Sequence, residues 1–182
     1  MTDWAEVYRT TFTDLVRYLH RKVWDADRAR DLAQEAFARA LDRGPSDGAV
    51  QNPRAWLFRV ATNLAHDEAR AAARRRRHLT LLKDEATPSS EPDPIERMEQ
   101  EAREHAARQA LAQLTDRDRD ALLLWDAGMT YTEIAAQTGL AVGAVGTTLA
   151  RARRRLVEAH GRLHAAARPQ TPAQEVTNAA RG

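Results

Sequence analysis

Apolar residues recur at helical spacing along most of the chain, which predicts an all-α protein. The periodicity breaks at 43–52, where glycine and proline cluster, and again at 78–94, where proline, serine and acidic residues dominate. These breaks divide the chain into two small helical domains. The predicted helices cover about 3–24, 27–42, 53–77, 94–112, 115–128, 130–139 and 142–156.

The residues that can begin and end the last three helices are arranged as in a helix-turn-helix. Thr115 can cap the first of them, and Gly128 can end it in the left-handed conformation that glycine tolerates. Thr130 and Glu133 have the spacing of a capping box, which predicts that the second helix starts there. Gly139 follows where a tight turn needs positive φ. The segment from 114 to 156 is therefore predicted to bind DNA.

The third of these helices is the natural recognition helix. Its apolar face faces the core, and arginines crowd its C-terminal half, where they can hold phosphates or guanine edges. A plain helical hairpin with a solvated basic face is the alternative, and the ordered turn chemistry favours DNA binding. The apolar face comprises Val145, Leu149 and Leu156, and the arginines are Arg151, Arg153, Arg154 and Arg155.

Composition narrows the function classes. The 182 residues contain no cysteine, which excludes disulfides, thiol redox chemistry and Cys-ligated metal. No apolar run has membrane-spanning length and no signal peptide opens the chain, so we expect a cytoplasmic protein without membrane insertion. The net charge is only +2, but arginine is concentrated in two runs, which favours nucleic acid as a partner. No cofactor, metal site or catalytic constellation is predicted.

The second predicted helix has two contrasting faces. Apolar residues, mostly alanine together with Leu32, lie on one side. A polar and acidic stripe lies on the other, and it is either simply solvated or the receptor of a basic partner helix. The stripe consists of Asp31, Gln34, Glu35 and Asp42.

The third predicted helix, capped by Asn52, combines a buried stripe with a polar face. Amide and carboxylate groups beside arginines resemble a base-reading surface, because the former contact base edges while arginines hold phosphates. Trp56 lies near the polar side, where it either stacks on a base or covers the preceding helix. The expected buried residues are Leu57, Val60, Ala61 and Leu64, and the polar face carries Arg59, Asn63, His66, Asp67, Arg70 and Arg74.

Domain boundaries follow from these breaks in pattern. Residues 1–77 are predicted to form the first domain and 95–160 the second. Residues 78–94 read as a mobile linker, and 161–182 as a disordered tail rich in proline and small polar residues.

Four motifs in order resemble the extracytoplasmic-function sigma factors of bacterial RNA polymerase. They are DLAQEAF at 31–37, NPRAWL at 52–57, ATNLAHD at 61–67 and YTEIA at 131–135. The resemblance covers nearly the whole chain apart from the linker and the tail. It implies a dissociable subunit without catalysis of its own, which brings core polymerase to promoter DNA and has an anti-sigma factor as a further partner.

The resemblance assigns a role to each surface. The acidic stripe would dock on the β′ clamp helices, the 44–51 loop would receive an extruded base, the linker would run near the RNA path, and the helix-turn-helix would also contact the β flap. Polymerase binding falls on Asp31, Gln34, Glu35 and Asp42. Recognition of the −10 element falls on Trp56, Arg59, Asn63, His66, Asp67, Arg70, Arg74 and Arg75. Recognition of the −35 element falls on Ala144, Gly146, Thr147, Thr148, Arg151 and Arg154.

The recognition helix departs from the family pattern. It reads AVGAVGTT at 141–148, where members of the family commonly have PVGTVKSR, so two basic groups are missing. Gly143 and Gly146 each weaken the helix by roughly 1 kcal/mol relative to alanine. We expect weaker or differently specified −35 binding, with Thr147 and Arg151 as the main remaining contacts.

Two other functions compete with a sigma factor. A sigma-like mimic would sequester an anti-sigma factor without reading DNA; the altered recognition helix favours it, and the intact Asn63 and Asp67 face disfavours it. A stand-alone helix-turn-helix repressor would leave the first domain and its acidic helix without a purpose. An enzyme is the least favoured class.

Overall fold

The computed structural model describes residues 2–43, 52–78 and 94–167, and it contains helices and no strand within them. The helix bounds agree with the predicted ones to within a few residues over most of the chain. The helices are α1 (Trp4–Val23), α2 (Ala26–Arg43), α3 (Pro53–His78), α4 (Pro94–Ala112), α5 (Asp116–Asp126), α6 (Tyr131–Thr138) and α7 (Val142–Ala167).

Helices α1, α2 and α3 pack together as an N-terminal unit. Their apolar stripes meet in a core in which Leu15, Leu19, Leu57 and Phe58 are fully buried. Phe58 was missing from the predicted stripe of α3, and it packs against the ring of Tyr18 at 5.1 Å between centroids. Alanines line the buried face of α2, so α1 and α3 can approach it closely.

Polar groups fix the ends and the mutual position of these helices. Asp3 caps α1 by accepting from the amide of Ala5 at 3.0 Å, and Asn52 caps α3 by accepting from the amide of Ala55 at 2.9 Å. The buried hydroxyls of Tyr18 and Thr62 lie 2.7 Å apart and join α1 to α3. The cap predicted at Asn52 is therefore confirmed.

Helices α4 to α7 form a C-terminal unit in which α7 packs against the other three. The capping residues and glycines predicted at the ends of the helix-turn-helix helices are confirmed. Thr115 caps α5, and Thr130 and Glu133 form the capping box of α6. Gly128 and Gly139 adopt φ values of +82° and +70°, which side-chain-bearing residues rarely adopt. Val145 and Leu149 are buried, as predicted for the inner face of the recognition helix.

The boundary predicted for the tail was wrong for its first residues. Helix α7 continues to Ala167, past residue 161, where the tail was predicted to begin. Residues 162–167 include good helix formers, and the first helix-breaking residue is Pro169, so nothing local stops the helix earlier. The predictions for the 44–51 loop, for 79–93 and for 168–182 lie outside the described residues.

The two units contact each other directly. Helices α1 and α3 of the N-terminal unit face α5 and the start of α6 in the C-terminal unit. Buried apolar residues continue from one unit into the other. Among the described helices, none is long and apolar enough to span a membrane.

Candidate nucleic-acid interface

The polar face of α3 is exposed along its length. Its residues project from one helix and are thereby brought together as the sequence predicted. Asp67 accepts a hydrogen bond from Arg70 at 2.5 Å, so the carboxylate and the guanidinium already lie side by side. The exposed members are Arg59, Asn63, Asp67, Arg70, Arg74 and Arg75.

Trp56 and His66 lie at the margins of this face. Trp56 is half-buried and its ring lies 6.1 Å from that of Trp4, with a tilt of 59° between the planes. The second role considered for Trp56 was to cover the preceding helix, α2, whereas the ring that it meets here belongs to α1. His66 Nε2 lies 2.9 Å from a carboxylate oxygen of Asp120, so its ring turns toward α5.

The acidic stripe of α2 is exposed, and two of its carboxylates, Asp31 and Glu35, pair with arginines of the same helix. Asp31 lies 3.6 Å from Arg28, and Glu35 accepts from Arg39 at 2.8 Å. Exposed ion pairs of this kind contribute little to stability, so a basic partner can replace them. Gln34 and Asp42 are also exposed.

The recognition helix α7 presents a short face of small and polar groups. Thr147 is exposed, and its hydroxyl donates to the carbonyl of Ala144 at 2.9 Å. Ala144 is half-buried. A Cβ atom at Gly146 would lie 3.6 Å from the ring of Tyr131, which is an ordinary van der Waals contact, so this ring lies directly beside α7. Arg154 has an exposed side chain.

Two residues of the predicted −35 set are engaged inside the C-terminal unit. Thr148 is only 3% exposed, so its side chain faces the helical core and cannot reach a base. The prediction that Thr148 contacts the −35 element was therefore wrong. Arg151 donates to Asp118 at 2.9 Å, and Arg155 donates to the other oxygen of the same carboxylate at 3.2 Å. Part of the arginine run therefore ties α7 to α5.

Asp118 is the buried partner in both ion pairs. Its side chain is 4% exposed, whereas the side chains of Arg151 and Arg155 are about half exposed. We expect Asp118→Asn to lower the free energy of unfolding by about 1–3 kcal/mol, because two charge-assisted hydrogen bonds lose their ionised acceptor. Thermal unfolding followed by circular dichroism measures the change. Asp116→Asn, on the same helix but highly exposed, is the matched control. Equal melting temperatures for the two variants would contradict this role.

A buried polar cluster joins the two units, and the sequence did not predict it. Lys22 donates to Asp120, and His66 Nε2 lies 3.2 Å from the Lys22 ammonium. The side chains of Lys22 and Asp120 are only 7% and 11% exposed. Burial lowers the pKa of Lys22, an effect that outweighs the attraction of Asp120. Burial opposes ionisation of Asp120 too, but bonds to His66 and Lys22 prevail and lower its pKa.

Further contacts between the units surround this cluster. Arg54 donates to the backbone carbonyl of Ala127 at 2.5 Å and to Asp14 at 3.1 Å. Arg21 pairs with Asp126, and Asn52 donates to Glu133. Apart from Arg54 and Asp14, which both belong to the N-terminal unit, the partners are 73 or more residues apart in the chain, so no local pattern could have indicated these contacts between the units. Asp118 and Asp120 were visible in the sequence only as acidic residues near the start of a helix.

The arrangement of histidine and acidic side chains does not indicate a metal site. Within the ranges that the structure describes, no three histidine, aspartate or glutamate side chains converge as metal ligands.

Comparison with known proteins identifies both units. The Sigma-70 region 2 family matches residues 7–75, and the Sigma-70 region 4 family matches residues 104–156. The RNA polymerase sigma factor YlaC of Bacillus subtilis is 27% identical over 149 residues, covering 81% of this chain and 86% of that protein. The ECF RNA polymerase sigma factor EcfG of Rhodopseudomonas palustris is 35% identical over 133 residues, covering 72% of this chain and 71% of that protein.

A solved structure shares the fold. The sigma factor RpoE of Bartonella quintana, solved in complex with the anti-sigma factor NepR, matches with a TM-score of 0.66 at 23% identity. The match covers 87% of this chain and 97% of that one. The family matches and the relatives confirm the resemblance seen in the sequence. This chain therefore belongs to the extracytoplasmic-function sigma factors of the sigma-70 family, which direct RNA polymerase to initiate transcription at specific promoters.

Proposed function

We propose that the two halves of the chain divide promoter recognition between them. Residues 1–77 bind core polymerase and read and open the −10 element, and residues 95–160 read the −35 element and contact the β flap. Residues 78–94 connect them, and the residues that follow α7 form the tail. The region 2 and region 4 matches lie inside the two proposed domains, which supports this division.

The exposed face of α3 carries the proposal for the −10 element. Asn63 and Asp67 project beside Arg59 and Arg70 without burial in the core, so both the base-reading and the phosphate-holding groups are accessible. Extruding a base costs a few kcal/mol of stacking, which contacts to the separated strand must offset. Arg74 and Arg75, one to two turns further along, can extend the phosphate contacts.

We assign polymerase docking to the acidic stripe of α2, which opposes the buried alanine face of that helix. Asp31 and Glu35 are one helical turn apart, and their side chains are 62% and 50% exposed. Their present partners, Arg28 and Arg39, belong to the same helix and can be exchanged for the basic β′ clamp helices at small cost. Gln34 and Asp42 extend the stripe.

For the −35 element, the structure supports a smaller set than the sequence suggested. Thr147 and Arg154 are exposed on α7, and Arg151 is half exposed beside Asp118. A threonine methyl and small apolar groups such as Ala144 suit contact with thymine methyls, whereas guanine recognition depends on the arginines. Gly146 contributes no side-chain contact.

Three further assignments accompany this proposal. An anti-sigma factor is a partner, supported by the similar fold of a sigma factor solved with one. The site of action is the cytoplasm, because bacterial core polymerase and the chromosome are there. The family consists of transcription regulators, and we propose that this chain has no catalytic activity of its own.

A sigma-like mimic remains the second candidate. The observation that favours it is the recognition helix, in which Thr148 is buried and Arg151 and Arg155 are engaged with Asp118. A mimic would bind an anti-sigma factor and show no affinity for promoters together with core polymerase.

The salt dependence of promoter binding tests the DNA surface. We expect holoenzyme binding to weaken steeply with salt, because each neutralised phosphate releases condensed counterions. Arg74→Ala with Arg75→Ala should lower the slope of log K against log salt by about 1–2, since roughly 0.9 is lost per phosphate contact. Filter binding or fluorescence anisotropy at salt concentrations from about 50 to about 200 mM measures this slope.

The control places the same charge change elsewhere. Arg9→Ala with Arg17→Ala removes two exposed arginines from α1 and should leave the slope unaltered. A slope that stays the same in the Arg74 and Arg75 variant would count against this surface. Absence of any salt-dependent promoter binding by the unmodified holoenzyme would favour the mimic.

A further inference from the structure

Two large apolar side chains lie exposed on the helix-turn-helix, at positions outside the predicted −35 set. Tyr131, the first residue of α6, is 47% exposed, and Val142, the first residue of α7, is 49% exposed. The inward side chains of these helices are different ones, since Ile134 and Val145 are fully buried. Packing of the helical core therefore does not explain why Tyr131 and Val142 are large and apolar.

Both side chains belong to one face of α7. The Tyr131 ring lies beside Gly146, where a Cβ atom would be 3.6 Å from the nearest ring carbon and 3.8 Å from the hydroxyl. Val142 precedes Gly146 by one turn on the same face. The capping box of Thr130 and Glu133 fixes the backbone from which the ring projects. The ring and the valine thus form an apolar surface about one helical turn long, which we call the Tyr131–Val142 surface.

The Tyr131–Val142 surface lies where a helix-turn-helix meets DNA. The N-terminal residues of the second helix contact base edges in the major groove, while the first helix crosses the backbone. Helices α6 and α7 correspond to these two helices, and Tyr131 and Val142 are their first residues. A base edge and a backbone phosphate are therefore both within the expected reach of this surface.

The neighbouring residues restrict which base edge can be read. Hydrogen-bonded recognition of guanine uses arginine or lysine, that of adenine asparagine or glutamine, and that of cytosine aspartate or glutamate. Residues 142–150 contain none of these side chains. The first arginine of α7, Arg151, is engaged by Asp118, and the Thr147 hydroxyl donates to the carbonyl of Ala144. The base feature that suits this surface is the thymine C5-methyl group, which apolar side chains contact.

We propose that the Tyr131–Val142 surface determines specificity at the −35 element by packing against thymine methyl groups, while the Tyr131 hydroxyl donates to a backbone phosphate. This inference rests on the proposed function, and it names the base that part of the −35 surface reads. Apolar contact then supplies the discrimination for which α7 lacks basic side chains at positions 146 and 148.

Selection of promoters from a random-sequence library by the holoenzyme is the first test. We expect the selected −35 element to contain thymine on the strand that faces α7. A −35 element without any A·T pair would overturn the proposal, and so would a selected promoter with no preferred bases at −35.

Removal of single methyl groups from the selected promoter tests the contact itself. Deoxyuridine in place of thymine removes only the C5-methyl group, and we expect holoenzyme affinity to fall about 4-fold for each contacted thymine. Tyr131→Ala with Val142→Ala should bind the thymine and deoxyuridine promoters equally. Val157→Ala is the matched control, because Val157 is 70% exposed about four turns further along α7. This control should keep the discrimination of the unmodified chain.

The ratio of affinities for thymine and deoxyuridine DNA separates base contact from support of the fold. A purely structural role of Tyr131 would lower both affinities alike in the double variant and leave their ratio unchanged, which would overturn the proposal. Val142→Ala alone truncates an exposed side chain, so circular dichroism should be unaltered while the ratio falls. Tyr131→Phe keeps the ring, so it should keep the ratio and weaken binding to both DNAs through loss of the phosphate contact.

The unmodified holoenzyme distinguishes failure of this surface from failure of the proposed function. Binding of its promoter with equal affinity for thymine and deoxyuridine at every −35 position would overturn the Tyr131–Val142 surface and leave the proposed function intact. Absence of any promoter binding by a chain that binds core would instead remove the proposed reading of DNA, and the inference with it.

Discussion

Reversing the two central charges of the acidic stripe should abolish binding to core polymerase. In Asp31→Lys with Glu35→Lys, two attractive contacts with the basic β′ clamp helices become repulsive. Like charges facing each other across an interface cost several kcal/mol, and each 1.4 kcal/mol is a factor of ten in affinity. We expect affinity to fall by at least about 100-fold. The fold should persist, because both carboxylates are exposed and pair with exposed arginines of α2.

Analytical gel filtration and anisotropy titration with purified core measure this loss. Glu6→Lys with Glu101→Lys changes the net charge equally at exposed positions of α1 and α4, and should bind core as the unmodified chain does. Circular dichroism establishes that both double variants are folded. Unaltered affinity in the Asp31 and Glu35 variant would exclude the acidic stripe as the docking surface.

The second large effect concerns the −10 element. Asn63→Ala with Asp67→Ala should leave binding to core unchanged and reduce open-complex formation by about 100-fold, because each well-placed base contact contributes about 1–3 kcal/mol of discrimination. Both side chains are exposed, so truncation removes no core packing. Asp67 pairs with Arg70 three residues on, and that arginine remains available to phosphates in the variant.

Permanganate footprinting of a melted promoter and run-off transcription report the opening step. The double variant at Asp31 and Glu35 and the one at Asn63 and Asp67 control each other, since the first should lose core binding and the second only promoter opening. Normal opening by the Asn63 and Asp67 variant would show that the promoter is read elsewhere, and would direct attention to α7.

Much of the local structure was predictable because it depends on residues close together in the chain. The capping box of Thr130 and Glu133 and the left-handed turn at Gly139 involve neighbours, and both formed as the sequence indicated. The continuation of α7 to Ala167 was missed, although its reason is also local. The assignment of the stripe on α2 to polymerase and the face of α3 to DNA stays a prediction.

Burial within α7 marks the point where local pattern stopped being sufficient. Thr148 and Thr147 are adjacent, polar and equally plausible as DNA contacts, yet only Thr147 is exposed. Arg151 was assigned to DNA from its place in the arginine run, and the packing of α7 against α5 brings it to Asp118. A helical wheel gives the direction of a side chain, but the neighbouring helix decides whether that direction is open.

The sequence by itself determined the helices, their caps, the helix-turn-helix and the family, because these depend on short-range periodicity and on motifs in a fixed order. Only the tertiary structure decided that Asp118 holds the arginines of α7 and that Lys22, His66 and Asp120 meet between the units. Lys22 and Asp120 are 98 residues apart. No periodicity specifies such a meeting, since it follows from how the packed faces of α1, α3 and α5 orient one another.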